Sequence, residues 1–519
     1  MFSPLDMQSF FDWFSSEPDH RNRAWVMLGK GPTFVNRSRF DLGQYYTLSL
    51  NHVVRELPVT VAHMIDLDVV DACGDALLRN ARVVVLPWFP HIKNGPSSES
   101  LDELVPAHPI LSVLREQQRL LWYNLSTGPR VHPGSPVVLV RFFSAEAALK
   151  LLALAGVRTV RSLGVDGGAS YSTEFQDLSG KTLLANKRST FNRQFEEIAS
   201  TLMQTGIDYA PLDVDSPVRV YVAATDAQML SVKVLEFSIR RHASMTVQVV
   251  PLHEGRIDVP VPRDPKNRAR TPFSFQRFLI PALAQYHGRA IYLDSDMQVF
   301  KDIRGLWTMP FGDAEILTAR EVVESSRRPQ FSVMLLDCER LKWNVREIVA
   351  ALDRGELDYE QLMYEMKVAK KTSADIDPAW NSLERYREGE TALLHYTDMT
   401  LQPWVSRDNP LGYLWVRELR DAIAAGFITL DFVREHVSRG YVRPSLVYQI
   451  EHEIDNGLLL PKAARDLDRG FRAPYMSLDS SSSSRWRHPL RFMRAVLRHV
   501  YERSPLPELR RRVRDRLST

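Results

Sequence analysis

The chain has 519 residues, of which 44% are hydrophobic, 25% charged and 10% aromatic, and its formal net charge is +3. This is the composition of a folded chain too long for one ordinary hydrophobic core, so two domains with appendages are expected. So small a charge excludes a general nucleic-acid-binding surface, and two cysteines, Cys73 and Cys338, exclude a disulfide framework and a Cys-x-x-Cys zinc pair.

The first residues carry Asp6 and Asp12 and lack the basic start and apolar centre of a signal peptide. No run approaches the roughly 18 apolar residues of a membrane span. A cytoplasmic protein is therefore expected. Short runs rich in aliphatic and β-branched residues over 24–28, 46–50, 61–65, 82–86, 137–140 and 159–163 read as buried parallel strands. A helix over 145–155, with Ser144 as its N-cap, fits between two of them. Alternation of this kind predicts an α/β, Rossmann-like domain over residues 1–215.

Glycines follow the first predicted strand, in Gly29-Lys30-Gly31-Pro32-Thr33, and Asn51 ends the second. Such a turn brings backbone N–H groups close to a phosphate, or simply makes a tight strand-to-helix turn. Gly29, Gly31, Asn51 and the late Asp166-Gly167 loosely resemble the bacterial sialyltransferase-like and MptE-like pyrophosphokinase Rossmann domains. The resemblance implies a nucleotide on the glycine turn and the asparagine, as a second site or as a degenerate scaffold.

Residues 213–217 read as a linker, and a second α/β series follows with strands over 218–223, 247–250, 290–293, 315–318, 333–336 and 393–395. Ala224-Thr225-Asp226 forms a polar turn before a helix over 227–241, with Asp226 placed as its cap or as a nucleotide contact. The sharpest signal is the strand that runs into Asp294-Ser295-Asp296. Alternation lets the two carboxylates converge on one cation, and hard oxygen ligands favour Mg²⁺ or Mn²⁺. A DxD alone is weak, because carboxylates two apart are common.

Its surroundings sharpen it. Ala224-Thr225-Asp226, then Phe275-Gln276-Arg277-Phe278, Asp294-Ser295-Asp296, and His395 with Pro403-Trp404 occur in an order that resembles glycosyltransferase family 8 over about 217–415. Those are glycogenin-like, retaining enzymes with a GT-A, nucleotide-diphospho-sugar transferase fold. The resemblance implies Mn²⁺ (or Mg²⁺) held by Asp294, Asp296 and His395, and a UDP-sugar donor near Ala224, Thr225, Asp226, Arg277 and Ser295. It also implies a glycan, lipid-linked or protein acceptor in cell-surface polysaccharide synthesis. Glu360, Gln361 and Gln330 are candidates to stabilise charge on the sugar. The chain departs from the family where Gln402 replaces a diphosphate-contacting lysine and Asp398 a glycine. It also lacks the Asn-Ala-Gly block near 329–337, and shows Tyr359-Glu360-Gln361 for an Asp-Gln-Asp-like block.

Residues 416–478 are expected to be a helical extension. Beyond them, Ser480 to Ser484 form a hinge within a tail over 479–519. From Arg485 onward, eleven arginines stand against Glu502, Glu508 and Asp515. Arg487, Arg491, Arg494 and Arg498 alternate with Leu490, Met493 and Leu497 as on a basic amphipathic helix, suited to an anionic membrane at its inner face. Two readings stand beside the leading one: a bifunctional chain with a second transferase site in its N-terminal domain, and a non-catalytic assembly protein that binds nucleotide sugar.

Overall fold

A computed structural model describes residues 7–141, 143–179, 189–254, 258–271, 273–320 and 331–474. The chain forms two compact units, one of Met1–Val218 with 240–248 and 302–308, the other of 219–239, 249–301 and 309–519.

In the first unit, helix α1 (Phe10–Ser16) precedes a wholly parallel eight-stranded sheet. Its strands are β1 (Trp25–Leu28), β2 (Tyr46–Leu50), β3 (Val59–His63), β4 (Ala81–Pro87), β5 (Leu120–Leu125), β6 (Val137–Val138), β7 (Thr159–Leu163) and β8 (Asp208–Pro211). Their spatial order is β8-β7-β1-β2-β3-β4-β5-β6. The chain therefore runs outward from β1 on one side and returns to its other side at β7. Strand residues alternate between two buried clusters, Met27, Leu48 and Val61 on one face and Val26, Leu28 and Ala62 on the other. Burial on both faces is what a parallel sheet requires, and it explains the nearly continuous apolar runs.

Three expectations shift here. The third strand spans Val59–His63 rather than 61–65. Strands β5 and β8 lie where none was expected. Helix α2 (Ser144–Leu154) has Phe143, not Ser144, as its N-cap. The Ser144 hydroxyl accepts from Asn51 Nδ2 instead (3.2 Å), and the Glu146 carboxylate takes the Arg141 N–H that precedes the helix. Helix α3 (Gln194–Thr205) leads into β8.

The second sheet joins β9 (Val218–Ala223), β10 (Val247–Pro251), β11 (Arg289–Asp294), β13 (Ile316–Ala319), β14 (Val333–Asp337) and β15 (Thr372–Ile376), in the order β10-β9-β11-β14-β13-β15. Helix α4 (Met229–His242) follows β9 and a short 3₁₀ turn, Asp226–Gln228. A small sheet, β12 (Met297–Val299), β17 (Leu393–His395) and β16 (Ser382–Leu383), is ordered β12-β17-β16. Helices α5 (Val345–Arg354) and α6 (Tyr359–Met363) precede β15. The helical extension expected over 416–478 starts four residues earlier, with α7 (Gly412–Ala424), and continues through α8 (Leu430–Ser438), α9 (Ser445–Glu451) and α10 (Lys462–Asp466). Fully buried Arg443 ties that region to the preceding loop, donating to Pro403 O (3.0 Å) and Ser445 Oγ (2.6 Å). Among the described residues no helix is long and apolar enough to cross a membrane. The serine hinge and the basic tail lie outside the described residues.

Candidate metal centre

The site begins with a strand that ends on a carboxylate. Strand β11 is buried along Ala290 to Leu293 and surfaces at Asp294. The chain bends at buried Ser295 and sets out again as β12, so Asp296 stands at the start of a second strand. That strand pairs antiparallel with β17, Met297 opposite His395, and Tyr396 N–H donates to Asp296 O at 2.8 Å. Register alone thus carries His395 to the DxD turn from a hundred residues away.

One ligand atom each from Asp294, Asp296 and His395 lies within 4.8 Å of the others, the only such group of His, Cys, Asp and Glu among the described residues. His395 Nε2 is 3.1 Å from Asp296 Oδ1 and 4.0 Å from Asp294 Oδ2. Each ligand is held from behind. Asn381 Oδ1 accepts from His395 Nδ1–H (3.0 Å), which turns Nε2 toward the carboxylates. The Tyr292 hydroxyl donates to Asp294 Oδ1 (2.6 Å), and Gln402 Nε2 donates to Asp296 Oδ2 (2.8 Å) and Tyr396 O (3.1 Å). Partners of this kind fix the tautomer and aim of metal ligands. Two carboxylate oxygens and an imidazole nitrogen suit a small divalent cation, and the nitrogen tilts the preference toward Mn²⁺.

Charge is arranged to match. Burial works against an imidazolium at His395, but Asp296, Asp294 and Glu384 together hold its pKa above the ordinary 6.5. That is the response of a proton in a place where a cation is favoured. Burial raises the Tyr292 phenol well above its usual range, so it stays a donor. Glu384, whose φ is +51°, donates its N–H to His395 O (3.1 Å), while its Oε1 accepts from Asp398 N–H (2.9 Å). Burial raises its carboxyl too.

The donor-side candidates take varied places. Ala224 has both backbone polar groups clamped by the Gln276 amide, N–H to Oε1 at 3.1 Å and C=O from Nε2 at 3.0 Å. The N-cap before α4 is Thr225, not Asp226: Thr225 and Gln228 form a capping box, and Asp226 is exposed with His253 Nε2 3.4 Å from its Oδ1. A hydroxyl at that position reaches the third N–H, and the extended backbone of Thr225 (φ −127°) is the cap geometry. Arg277 is buried. It donates to Ser274 O (3.2 Å) and Phe331 O (3.1 Å), lies over the Tyr292 ring at 4.6 Å, and sets Nη2 3.7 Å from Asp294 Oδ1.

On the sugar side, Gln361 closes a capping box with Asp358 at the start of α6, and Glu360 is exposed beside it. Gln330 lies outside the described residues. Trp404 is buried against Trp415 with centroids 5.3 Å apart.

In the first unit, the glycine turn serves backbone packing. A Cβ on Gly29 would meet Gly164 O at 2.2 Å, and one on Gly31 would meet Asp166 Oδ2 at 2.5 Å. Gly29 N–H and Gly31 N–H donate to Leu163 O and Gly164 O, both at 2.8 Å, so neither is left for a phosphate. Asn51 has φ +54°, and its buried Oδ1 has no partner.

Sequence reasoning missed Tyr292, Asn381 and the contacts of Gln402 with Asp296 and Tyr396. Tyr292 was findable, because residues two apart on a strand share a face with Asp294. Asn381 carries no local signal, since only the pairing of β16 with β17 brings it to His395.

Residues 198–351 match a family model described as Glycosyl transferase family 8, so the chain carries a glycosyltransferase domain of that family. The match begins earlier than the motif blocks and ends before His395. "Protein CDI" of Arabidopsis thaliana is 30% identical over 92 residues, which are 17% of this chain and 36% of that protein. The chain thus spans about a third of the curated relative's length. Among solved structures, the glycosyltransferase GlyE of Streptococcus pneumoniae TIGR4 is 17% identical, over 41% of this chain and 64% of that one, with a TM-score of 0.29. The galactosyltransferase LgtC is 12% identical over 41% and 96% (TM-score 0.27), and mouse xyloside xylosyltransferase 1 is 15% identical over 35% and 98% (TM-score 0.25).

Proposed function

We propose that this chain, whose residues 198–351 carry a glycosyl transferase family 8 domain, is a metal-dependent, retaining glycosyltransferase. It moves a sugar from a UDP-sugar to a glycan or glycoconjugate acceptor. The observation that carries the reading is the convergence of Asp294, Asp296 and His395, each held by its own partner. Asp294, Asp296 and His395 would hold Mn²⁺, which supplies Lewis-acid neutralisation of a diphosphate leaving group.

The chain's own residues do the rest. Tyr292 and Arg277 fix Asp294, Gln402 fixes Asp296, and Asn381, by accepting from Nδ1–H, makes Nε2 the nitrogen of His395 that faces the carboxylates. Preorganisation of this kind spares reorganisation when charge develops. Arg277 sets Nη2 3.7 Å from Asp294 Oδ1, so it offsets part of the carboxylates' repulsion. Gln402 is neutral and buried, so it contributes position and no charge. The two cysteines are free, buried thiols, which suits work in a reducing compartment, with the acceptor at the inner face of a membrane.

The test is a screen of UDP- and GDP-sugars, read by nucleotide release with and without Mn²⁺. Asp294→Asn and Asp296→Asn are each expected to lower metal-dependent turnover by on the order of 10²-fold or more, the scale of losing a preorganised electrostatic group. Turnover that persists at full rate in EDTA, or in both variants, overturns the reading.

A further inference from the structure

The metal centre leaves the first unit without a role, yet the buried polar groups of that unit are unevenly spread. Ten buried side-chain polar atoms among the described residues have no hydrogen-bond partner, and five of them belong to Ser49, Asn51, His52, His63 and Asp66. All five residues lie at the C-terminal ends of β2 and β3 or just beyond them. Buried polar groups are almost always satisfied, so a local cluster of exceptions marks a place where something else binds.

Near two of these residues, Ser49 and His52, the chain carries an amine, Lys30. Ser49 pairs in register with Leu28 and Ala62, whose side chains belong to the same buried cluster as Val53 and Cys73. Lys30 lies two residues beyond Leu28, the last residue of β1, and its Nζ lies over the Tyr171 ring at 4.6 Å. Among the described residues Lys30 has no ion-pair partner. The groups whose charge reaches it are Cys73, Arg55 and Asp177. None of them balances it. Burial pushes the Cys73 thiol up to about 11, so it stays neutral, and Asp177 is already engaged by Arg55 at 3.0 and 3.1 Å.

His52 is 3% exposed, and its Nδ1 is one of the unpartnered atoms. Burial, with Lys30 and Arg55 nearby, pulls its pKa down to about 4. A neutral imidazole still offers one N–H, and a serine hydroxyl offers another donor. Lys30, Ser49 and His52 therefore present one uncompensated ammonium and two unsatisfied neutral groups. They lie at or just beyond the carboxyl ends of β1 and β2, and the other neighbour of β1 is β7, where the strand order reverses. Open parallel sheets take their ligands at the carboxyl ends of the strands beside such a reversal.

We propose that the first unit holds a phosphate site, distinct from the metal centre, in which Lys30, Ser49 and His52 bind the phosphate group of a nucleotide or a sugar phosphate. The glycine turn shapes this site without touching the ligand, because its N–H groups are spent on Leu163 and Gly164. An acceptor-only oxyanion supplies what each group lacks: a counter-charge for Lys30 and an acceptor for Ser49 and His52. A sugar hydroxyl or a neutral amide would leave the ammonium unbalanced.

The experiment is trace acetylation of the lysines of the full-length chain with acetic anhydride across pH, read by peptide mass spectrometry. It is run alone and with UMP, glucose 1-phosphate or inorganic phosphate. Burial of Lys30 pushes its pKa down to about 8, so half-maximal labelling is expected near that pH, with exposed Lys462 as the internal reference for ligand effects. At ten times its Kd, a bound phosphate compound is expected to slow Lys30 labelling roughly tenfold and leave Lys462 unchanged. Equal protection by all three compounds assigns the site to phosphate alone, and protection by UMP or glucose 1-phosphate alone names the source. Lys30 labelling without a midpoint near pH 8, or unaffected by all three compounds, overturns the proposal. In a second arm, Lys30→Met is expected to abolish the thermal shift induced by the protecting compound while Mn²⁺-dependent nucleotide release continues. A shift that survives in Lys30→Met also overturns it. Because the labelling does not use turnover, it succeeds or fails independently of the transferase reading.

Discussion

Asn381 never touches the metal position, yet it decides which nitrogen of His395 faces Asp294 and Asp296. Without that acceptor the imidazole is free to present Nδ1, or to turn its Nε2–H toward the carboxylates. Asn381→Ala is expected to weaken Mn²⁺ binding roughly 10- to 100-fold, the range for losing such a partner. Calorimetric Mn²⁺ titration measures it, and an unchanged affinity would remove Asn381 from the site. Gln402 makes a different case. Its amide spans Asp296 Oδ2 and Tyr396 O, so Gln402→Leu, similar in size, leaves a buried carbonyl and one carboxylate oxygen without their donor. Leaving such groups unpaired costs about 1–3 kcal/mol. Metal binding should recover part of that, because the cation takes over the free oxygen. The expected outcome is a lower melting temperature without Mn²⁺ and a smaller deficit with it; a deficit that metal leaves untouched would make Gln402 purely structural.

At the scale of elements, the parts written in consecutive residues were legible and the parts written in pairing were not. Asp294 and Asp296 could be read because they share one strand end, and His395 because it opens a recognisable block. Asn381 and Glu384 could not, since their positions follow from the short strand β16, only Ser382 and Leu383 long. Strand β5 hides in a run that is buried at all six positions, where periodicity does not separate strand from helix. Strand β8 contains Asp208 and Pro211, residues that a strand tolerates at the edge it occupies. The glycine turn left two purposes open in the sequence, phosphate approach or a tight turn, and pairing decides between them, because its N–H groups bond Leu163 O and Gly164 O. Gly29 and Gly164 are reciprocal, each backbone carbonyl oxygen 2.2 Å from the Cβ the other would carry. Backbone cannot swing aside as a side chain can, so Gly29→Ala is expected to cost about 1–3 kcal/mol or more through overpacking. The melting temperature of the full chain reads it. A variant as stable as the parent would show that β1 and β7 are not held this close.

Across the whole molecule, buried histidines of opposite sign set the response to acid. Burial pulls His52 to about 4 and His63 to about 3, whereas in the unfolded chain both take a proton near 6.5. Below pH 6.5 the unfolded state therefore binds more protons than the folded one, and stability falls with pH until the folded pKa is reached. Each histidine contributes a slope of about 1.4 kcal/mol per pH unit at most. His395 acts in reverse. Its folded pKa is raised, so in the metal-free chain its contribution is complete below 6.5 and is lost as pH rises through the folded value. A divalent cation needs the deprotonated ring, so metal should also bind less well as acid protonates His395. The metal-free chain is thus expected to lose stability between pH 6.5 and about 4, because the histidines whose pKa burial lowers, His242 at about 4 among them, outnumber His395, which opposes them. Urea unfolding at half-unit pH steps measures the slope. His63→Gln, which keeps a polar group beside the Tyr123 hydroxyl 3.0 Å away, should flatten the acid limb. His395→Gln should steepen it. An acid limb unchanged in both variants would mean that these side chains are not buried as described.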